Sequence, residues 1–322
     1  MTVWKMVQWP SLIKQKRKKL GLVKFNNMTI EEQINVISSV FDVDSIINES
    51  QTSNEVKSYY LANRLSYRVL HNWSGYIHMG LSKNGVYKKE DLLEVLHIIQ
   101  RYTDKSGAKD VLELASGRGA NSAYLATNNP EINFQSIDLS TLPLGKYRTI
   151  NNYNYKLGSY DDLSIFPNEF EVIFVIESLC YSQDKLKTLQ EVYSKLKPGG
   201  YFIVVDAYST KEDSEYSKID FVAKKLVEKS MTVQNFITLQ KFRSILDTAK
   251  FEIEEEVDYS QEILPSLYRF QKMSKWFFKY PAVAKILKTV SKEVWGNSIA
   301  GYLMPEIIET RICKCFLHVL RK

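Results

Sequence analysis

Short apolar runs, each closing on a polar or acidic residue, alternate with stretches of helical period through the middle of the chain. Val111–Leu114, broken only by Glu113, leads into the turn Ala115-Ser-Gly-Arg-Gly119, and a helical pattern opens after it. A second run, Phe134-Gln-Ser-Ile, ends at Asp138. Phe170-Glu-Val-Ile-Phe-Val-Ile176 reads as a strand buried on both faces, and 184–196 follows with helical spacing. Lys197-Pro-Gly-Gly200 then turns into Tyr201-Phe-Ile-Val-Val205, a further buried run ending at Asp206. Beyond it, 234–249 reads as helix and 251–259 alternates like a strand. A terminal strand carries Cys313 and Cys315, and one of the pair is expected to point inward. Upstream, 28–58 reads as helical and polar, with a helix start at Thr29-Ile-Glu-Glu32. Strands and helices in this alternation predict an α/β fold with a mostly parallel sheet.

The unit from Val111 to Asp138 is shaped to hold a nucleotide. Small residues let the backbone approach a ligand, and the carboxylate of Asp138 can accept hydrogen bonds from a ribose diol. Gly-x-Gly does not by itself name that ligand. A dinucleotide fingerprint needs a third glycine, and Ser122 stands there. Glu113, before the turn, would repel a pyrophosphate. The same acid would attract the sulfonium and ammonium of S-adenosylmethionine.

The motifs VLELASGRG, FQSIDLS, the Asp161-Asp162 pair, FEVIFVIESLCYSQD and LKPGGYFIVVD come in the order found in a known family. On them the chain resembles the class I S-adenosylmethionine-dependent methyltransferases, closest to the small-molecule branch that includes ubiquinone, tocopherol and sterol methyltransferases. The resemblance covers about residues 70–260. It implies a Rossmann-like, seven-stranded, mostly parallel sheet with helices on both faces, plus an N-terminal helical extension and helical lid insertions. It implies a methyl transfer with S-adenosyl-L-methionine as cofactor. No metal is implied by the residues, since no ordered Asp, Glu and His set stands out.

Carried over position by position, the resemblance puts Glu113, Ala115, Ser116, Gly117 and Gly119 around the methionine moiety. Asp138 would take the ribose hydroxyls, with Leu139 on the adenine. Asp161 or Asp162 would bind the adenine amino group, and Glu177 would close the fourth strand at the site. There are departures. Ala115 replaces a glycine, which close approach tolerates if its φ is negative. Tyr181 stands where the family often has His, and Lys250 where it usually has Gly, so the helix before Lys250 is expected to end without a left-handed cap. An oxygen acceptor, or a carbon acceptor passing through a cation, needs a base, for which the candidates are His78, Glu177 and Tyr181.

The aromatic segment Tyr59–Gly80 precedes the sheet, and in the resembled enzymes such a segment lines the acceptor pocket. Trp73, Tyr76 and His78 are the residues assigned there. A second aromatic stretch, Leu264–Tyr280, alternates lysines with bulky apolar residues at helical spacing and contains Trp276. Such a helix can cover a hydrophobic pocket or lie in a membrane interface. It points to a large apolar acceptor of isoprenoid, quinone, sterol, polyketide or acyl type. The implied organisation is a basic, helical extension over 1–58 and a helical aromatic segment over 59–100. A methyltransferase core follows over 101–322, with lids near 207–232 and 260–305.

Composition sets the remaining bounds. At 322 residues and 44% hydrophobic content, the chain can bury one substantial core with elaborations. Three cysteines form no metal-like spacing and suit a reducing compartment. The net charge of +6 is concentrated at the ends, with Lys14-Gln-Lys-Arg-Lys-Lys19 beside Trp4 and Trp9. That mixture suits an anionic membrane surface. With neither signal peptide nor apolar span, the chain is expected to be cytoplasmic, soluble or peripheral at a membrane. Nucleic acid ranks low as a partner, because no recognisable module interleaves the basic residues. The tetrapeptide typical of base amino methylation is also missing, with Glu177-Ser-Leu-Cys180 in its place. A NAD-dependent oxidoreductase and a non-catalytic, membrane-associated relative of the fold are the other readings.

Overall fold

The computed structural model describes residues 28–49, 74–139, 142–287 and 292–322. The basic stretch at 14–19 and Trp73 lie outside the described residues.

The strands are β1 (Asp110–Leu114), β2 (Asn133–Asp138), β3 (Tyr153–Leu157), β4 (Phe170–Ile176), β5 (Leu196–Ser209), β6 (Glu252–Asp258) and β7 (Cys313–Arg321). They form one seven-stranded sheet in the order β3-β2-β1-β4-β5-β7-β6. β7 runs antiparallel to both β5 and β6, and the other neighbours are parallel. The strand order reverses between β1 and β4. In open α/β sheets the carboxyl ends of strands flanking such a reversal form the ligand crevice. Glu113 lies near that end of β1, and Glu177 directly follows β4.

Alternate residues of the strands feed two cores. One face receives Val111, Val172 and Phe174 together with α3 (Glu94–Ser106), through Leu96 and Ile99, and α4 (Ala120–Asn128), through Leu125. The other receives Leu112, Ile173 and Val175, packed by α5 (Lys185–Lys195) and α7 (Leu239–Thr248). A helical layer sits beyond the carboxyl ends of β4 and β5. It comprises α1 (Ile30–Ser38), α2 (Val43–Asn48), α6 (Lys218–Ser230), α8 (Ser260–Lys279), α9 (Pro281–Leu287) and α10 (Lys292–Glu309). α10 packs along both α8 and α6, and α6 also receives α1 and α2. Thr29 starts α1 with the expected reciprocal cap to Glu32. Buried Lys224 fastens α6, reaching Asp213 at 2.8 Å, Glu228 at 2.6 Å and Asn235 at 3.0 Å.

Four local expectations need correction. Cys313 and Cys315 are both buried, because residues two apart on a strand share a face. The region 74–88 is turns and bends rather than helix, with Gly75 and Gly85 at positive φ; regular α-helix begins at Glu94. α7 starts only at Leu239, where Thr238 caps it by accepting from Lys241 N. Lys250 itself takes the left-handed turn after α7, at φ 67°.

Candidate functional site

The cleft at the strand-order reversal is floored by the turn after β1. Glu113 is buried there and anchored to the start of α4. Its Oε1 accepts from Asn121 Nδ2 at 2.9 Å, and its Oε2 accepts from the Ser122 amide at 3.1 Å and hydroxyl at 2.5 Å. Burial outweighs these donors and pushes the carboxyl up to about 7. Asp138, at the end of β2, accepts from Gly117 N at 2.9 Å and so holds the turn against the second strand.

The turn needs left-handed backbone three times, at Ala115 (φ 52°), Gly117 (φ 54°) and Gly119 (φ 77°). The condition under which alanine would be tolerated here, a negative φ, is therefore not met, and an L-residue carries the strain. At Gly117 a Cβ would come within 2.8 Å of Ile77 Cδ1. At Gly119 it would meet Tyr153 Oη at 2.7 Å and Pro143 Cβ at 2.8 Å. Only hydrogen fits at either place.

Glu113, Ala115, Ser116, Gly117, Asp138 and Leu139 all line the cleft, joined by His78, Glu177 and Tyr181 from the sequence candidates. Gly119 does not, since it faces the 142–147 loop. Neither acid of the Asp161-Asp162 pair lines it. Asp161 turns away to accept from Thr188 Oγ1, and Asp162 is exposed, capping Ser164 N at 3.1 Å. Gly158 and Tyr160 occupy that wall instead. Tyr76 lines neither this cleft nor the cavity beside it; its ring meets His78 edge-on at 5.8 Å.

Sequence reasoning missed Asn121, which joins Glu113 to His78: its Oδ1 lies 3.1 Å from His78 Nε2. The other ring nitrogen of His78 lies 3.0 Å from the Met79 carbonyl, and burial holds the ring below the usual histidine range. Both partners are acceptors and a neutral ring carries one N–H, so the ring donates to one of them only. The signal for Asn121 was two short polar residues, Asn-Ser, opening a helix beneath an acid.

Next to the cleft lies a second cavity of about 760 Å3, walled by α6, α8 and α10 and closed by the sheet. Its lining is mostly apolar, including Val227, Ile263, Leu267, Phe277 and Met304. Ile77, Glu177 and Tyr181 line both spaces. Glu177 sits at φ 50°, an uncommon conformation for its type, with Oε1 accepting from Met79 N at 2.8 Å. Burial pushes its carboxyl up to about 8. Asp206, also missed, lines the same end of the cavity; it accepts from the Cys180 and Ala207 amides and is raised by burial. Trp276 stands at the far end, 65% exposed. Among the described residues no cluster of His, Cys, Asp and Glu has the makings of a metal site.

A family model described as a methyltransferase domain matches residues 87–256, more than half of the chain. The chain belongs to the class I S-adenosylmethionine-dependent methyltransferases. It is 28% identical over 130 residues to a probable phthiotriol/phenolphthiotriol dimycocerosates methyltransferase of Mycobacterium ulcerans, covering 38% of this chain and 49% of that one. It is 27% identical over 145 residues to the ubiquinone/menaquinone biosynthesis C-methyltransferase of Psychromonas ingrahamii, covering 41% and 58%. The chain thus spans about half the length of the curated relatives it matches. A mycolic acid cyclopropane synthase crystallised with SAH and CTAB shares the methyltransferase fold at a TM-score of 0.65, with 11% identity over 85% of this chain and 99% of that one.

Proposed function

We propose that this methyltransferase moves the methyl group of S-adenosylmethionine to a large apolar acceptor of lipid, isoprenoid, quinone or polyketide type. One observation carries the reading: the cleft and the apolar cavity meet at Ile77, Glu177 and Tyr181. The matched relatives named for phthiotriol dimycocerosates and for quinones point to the same acceptor class. The cofactor fits the cleft by its chemistry, for Glu113 is a buried acid suited to an ammonium and Asp138 to a ribose diol. The dinucleotide reading lacks support, since Ser122 replaces its third glycine and spends both its donors on Glu113.

When bound, the cofactor supplies an already activated methyl group, so the protein's task is alignment and exclusion of water. Glu113, the left-handed turn and Leu139 would hold one partner. The helices α6, α8 and α10 would act as the lid that holds the other. Glu177 lies where both meet, and a carboxyl poised near 8 is well matched to accept a proton in neutral to mildly alkaline water. An acceptor of this kind is stored in a bilayer, which makes peripheral membrane association part of the same reading.

The test is transfer of labelled methyl from S-adenosylmethionine into an extract of the source cells. A product that partitions into organic solvent is expected. A polar, water-soluble product overturns the acceptor class, and affinity for NADH in place of S-adenosylhomocysteine overturns the whole reading.

A further inference from the structure

The helix α8 has an unusual outer face. Met273, Trp276 and Tyr280 are exposed at 37%, 65% and 41%, and their spacing of three and then four residues aligns them in one stripe. Trp276 and Tyr280 meet edge to face at 6.3 Å. Lys272 and Lys279 are exposed beside them, Lys275 is half-buried near the Glu306 carboxylate of α10, and Lys285 is exposed on α9. From Arg269 to Lys292 the sequence contains no Asp or Glu. The flank of α8 that carries Ser274, Phe277 and Phe278 is buried. The stripe is also the mouth of the apolar cavity, because Lys272, Met273 and Trp276 line it.

We propose that this face of α8 docks on an anionic bilayer, with Trp276 and Tyr280 at headgroup depth and the cavity opening toward the acyl region. The inference rests on the apolar-acceptor reading of the cavity. Indole and phenol rings with one apolar and one polar side favour the interfacial zone. Lysines along the same helix meet acidic headgroups while their stems cover apolar surface. A second copy of this chain would bring one lysine row against another, which like-charge repulsion disfavours. Among the described residues no helix is long and apolar enough to cross a membrane, so the contact is one of lying on the surface. Docking in this orientation spares the acceptor a passage through water between bilayer and cavity.

The experiment is sedimentation of the full-length protein with vesicles of phosphatidylcholine alone or mixed with phosphatidylglycerol. Binding to the mixed vesicles only, weakened by added salt, is expected. The triple variant Lys272→Gln, Lys275→Gln, Lys279→Gln should bind about a hundredfold more weakly. Trp276→Ala should bind about tenfold more weakly. Both variants should keep wild-type circular dichroism and affinity for S-adenosylhomocysteine. Equal binding to both vesicle types overturns the proposal. So does a triple variant that binds like wild type, which would place the contact elsewhere, or a dimer in solution that the triple variant dissolves. Vesicle binding uses no methyl donor, so the two readings fail separately. Binding without any lipophilic methylated product leaves docking standing and sinks the acceptor reading. Methylation of a detergent-dispersed acceptor by a protein that ignores vesicles does the reverse.

Discussion

The cleft and the cavity are built by opposite means. The cleft is made of backbone: three left-handed residues, an acid fixed by Asn121 and Ser122, and a strand end that holds the turn through Gly117 N. The cavity is made of side chains, contributed by helices that pack on one another as much as on the sheet. A small, charged ligand of fixed shape demands placed donors and acceptors, whereas a bulky apolar one demands volume and exclusion of water. The difference implies that changes in one space should leave the other working.

The largest effects should therefore be separable. Asp138→Ala removes the acceptor for Gly117 N and the carboxylate that we propose takes the ribose diol. It should weaken S-adenosylhomocysteine binding about a hundredfold, measured by titration calorimetry, since each such bond to a charged group is worth roughly 1.5–3 kcal/mol. Met304→Trp fills the apolar cavity from α10 and should reduce methyl transfer to a lipophilic acceptor at least about tenfold while moving cofactor affinity less than about twofold. If either variant damages both bindings alike, the two spaces are one site and the comparison collapses.

This contrast also explains what could be read from the chain. The cleft depends on short local patterns, an acid, a glycine turn and a second acid, so six of its nine candidate cofactor positions outside Glu177 line it. Gly119 and the pair Asp161-Asp162 do not, because whether an acid faces a ligand or a neighbouring helix depends on packing, here on Thr188 of α5. β1, β4 and β5 were legible for the same local reason, as apolar runs, and β6 by its alternation, whereas Tyr-Asn-Tyr-Lys-Leu of β3 carries neither pattern. The cavity comes from distant segments. Glu177 after β4, Ile77 from the bent 74–88 region and Met304 from α10 meet only after folding, and of the cavity only the helical lysine and apolar spacing of 264–280 could be read in advance, as a cover for a pocket.

Glu177 belongs to both spaces and tests their junction. Its carboxyl is raised to about 8, so the ionised form grows as pH rises through that value. If it takes the proton from the acceptor, kcat should climb between about pH 7 and 9. Glu177→Gln should flatten the profile and lower the rate at pH 9 by about 10²–10⁴-fold. The same profile in the variant as in wild type would assign the proton elsewhere, with Tyr181 the neighbouring group.

Glu113 gives a smaller, purely cofactor-side signal. Folding raises its carboxyl from the ordinary 4.5 to about 7. The protonated form is thus favoured in the folded state, and the stability it contributes is complete below about 4.5 and lost as pH rises to about 7. An ammonium placed beside it pulls the proton off. Binding of S-adenosylhomocysteine near pH 6.5 should release a fraction of a proton, read as a dependence of the calorimetric heat on buffer ionisation enthalpy. Glu113→Gln should bind without that dependence. A buffer-independent heat in wild type would remove the ammonium from this carboxylate.

The smallest effects compare strain inside and outside the site. Ala115 and Lys250 both hold left-handed backbone, Ala115 in the cleft and Lys250 after α7 on the far core. The left-handed penalty of roughly 1–2 kcal/mol exceeds the roughly 0.5–1 kcal/mol that glycine's freer unfolded chain takes back, so each change to glycine should stabilise by about 0.5–1 kcal/mol. Lys250→Gly should raise the denaturation midpoint and leave cofactor affinity where it was. At Ala115 the methyl group lines the cleft, so glycine there trades a fixed turn for a looser one. Ala115→Gly should stabilise the free protein and yet bind S-adenosylhomocysteine a few-fold more weakly. If both substitutions stabilise and neither touches affinity, the strain at Ala115 is incidental to the cleft. If only Ala115→Gly loses affinity, that strain is part of how the turn is set before the ligand arrives.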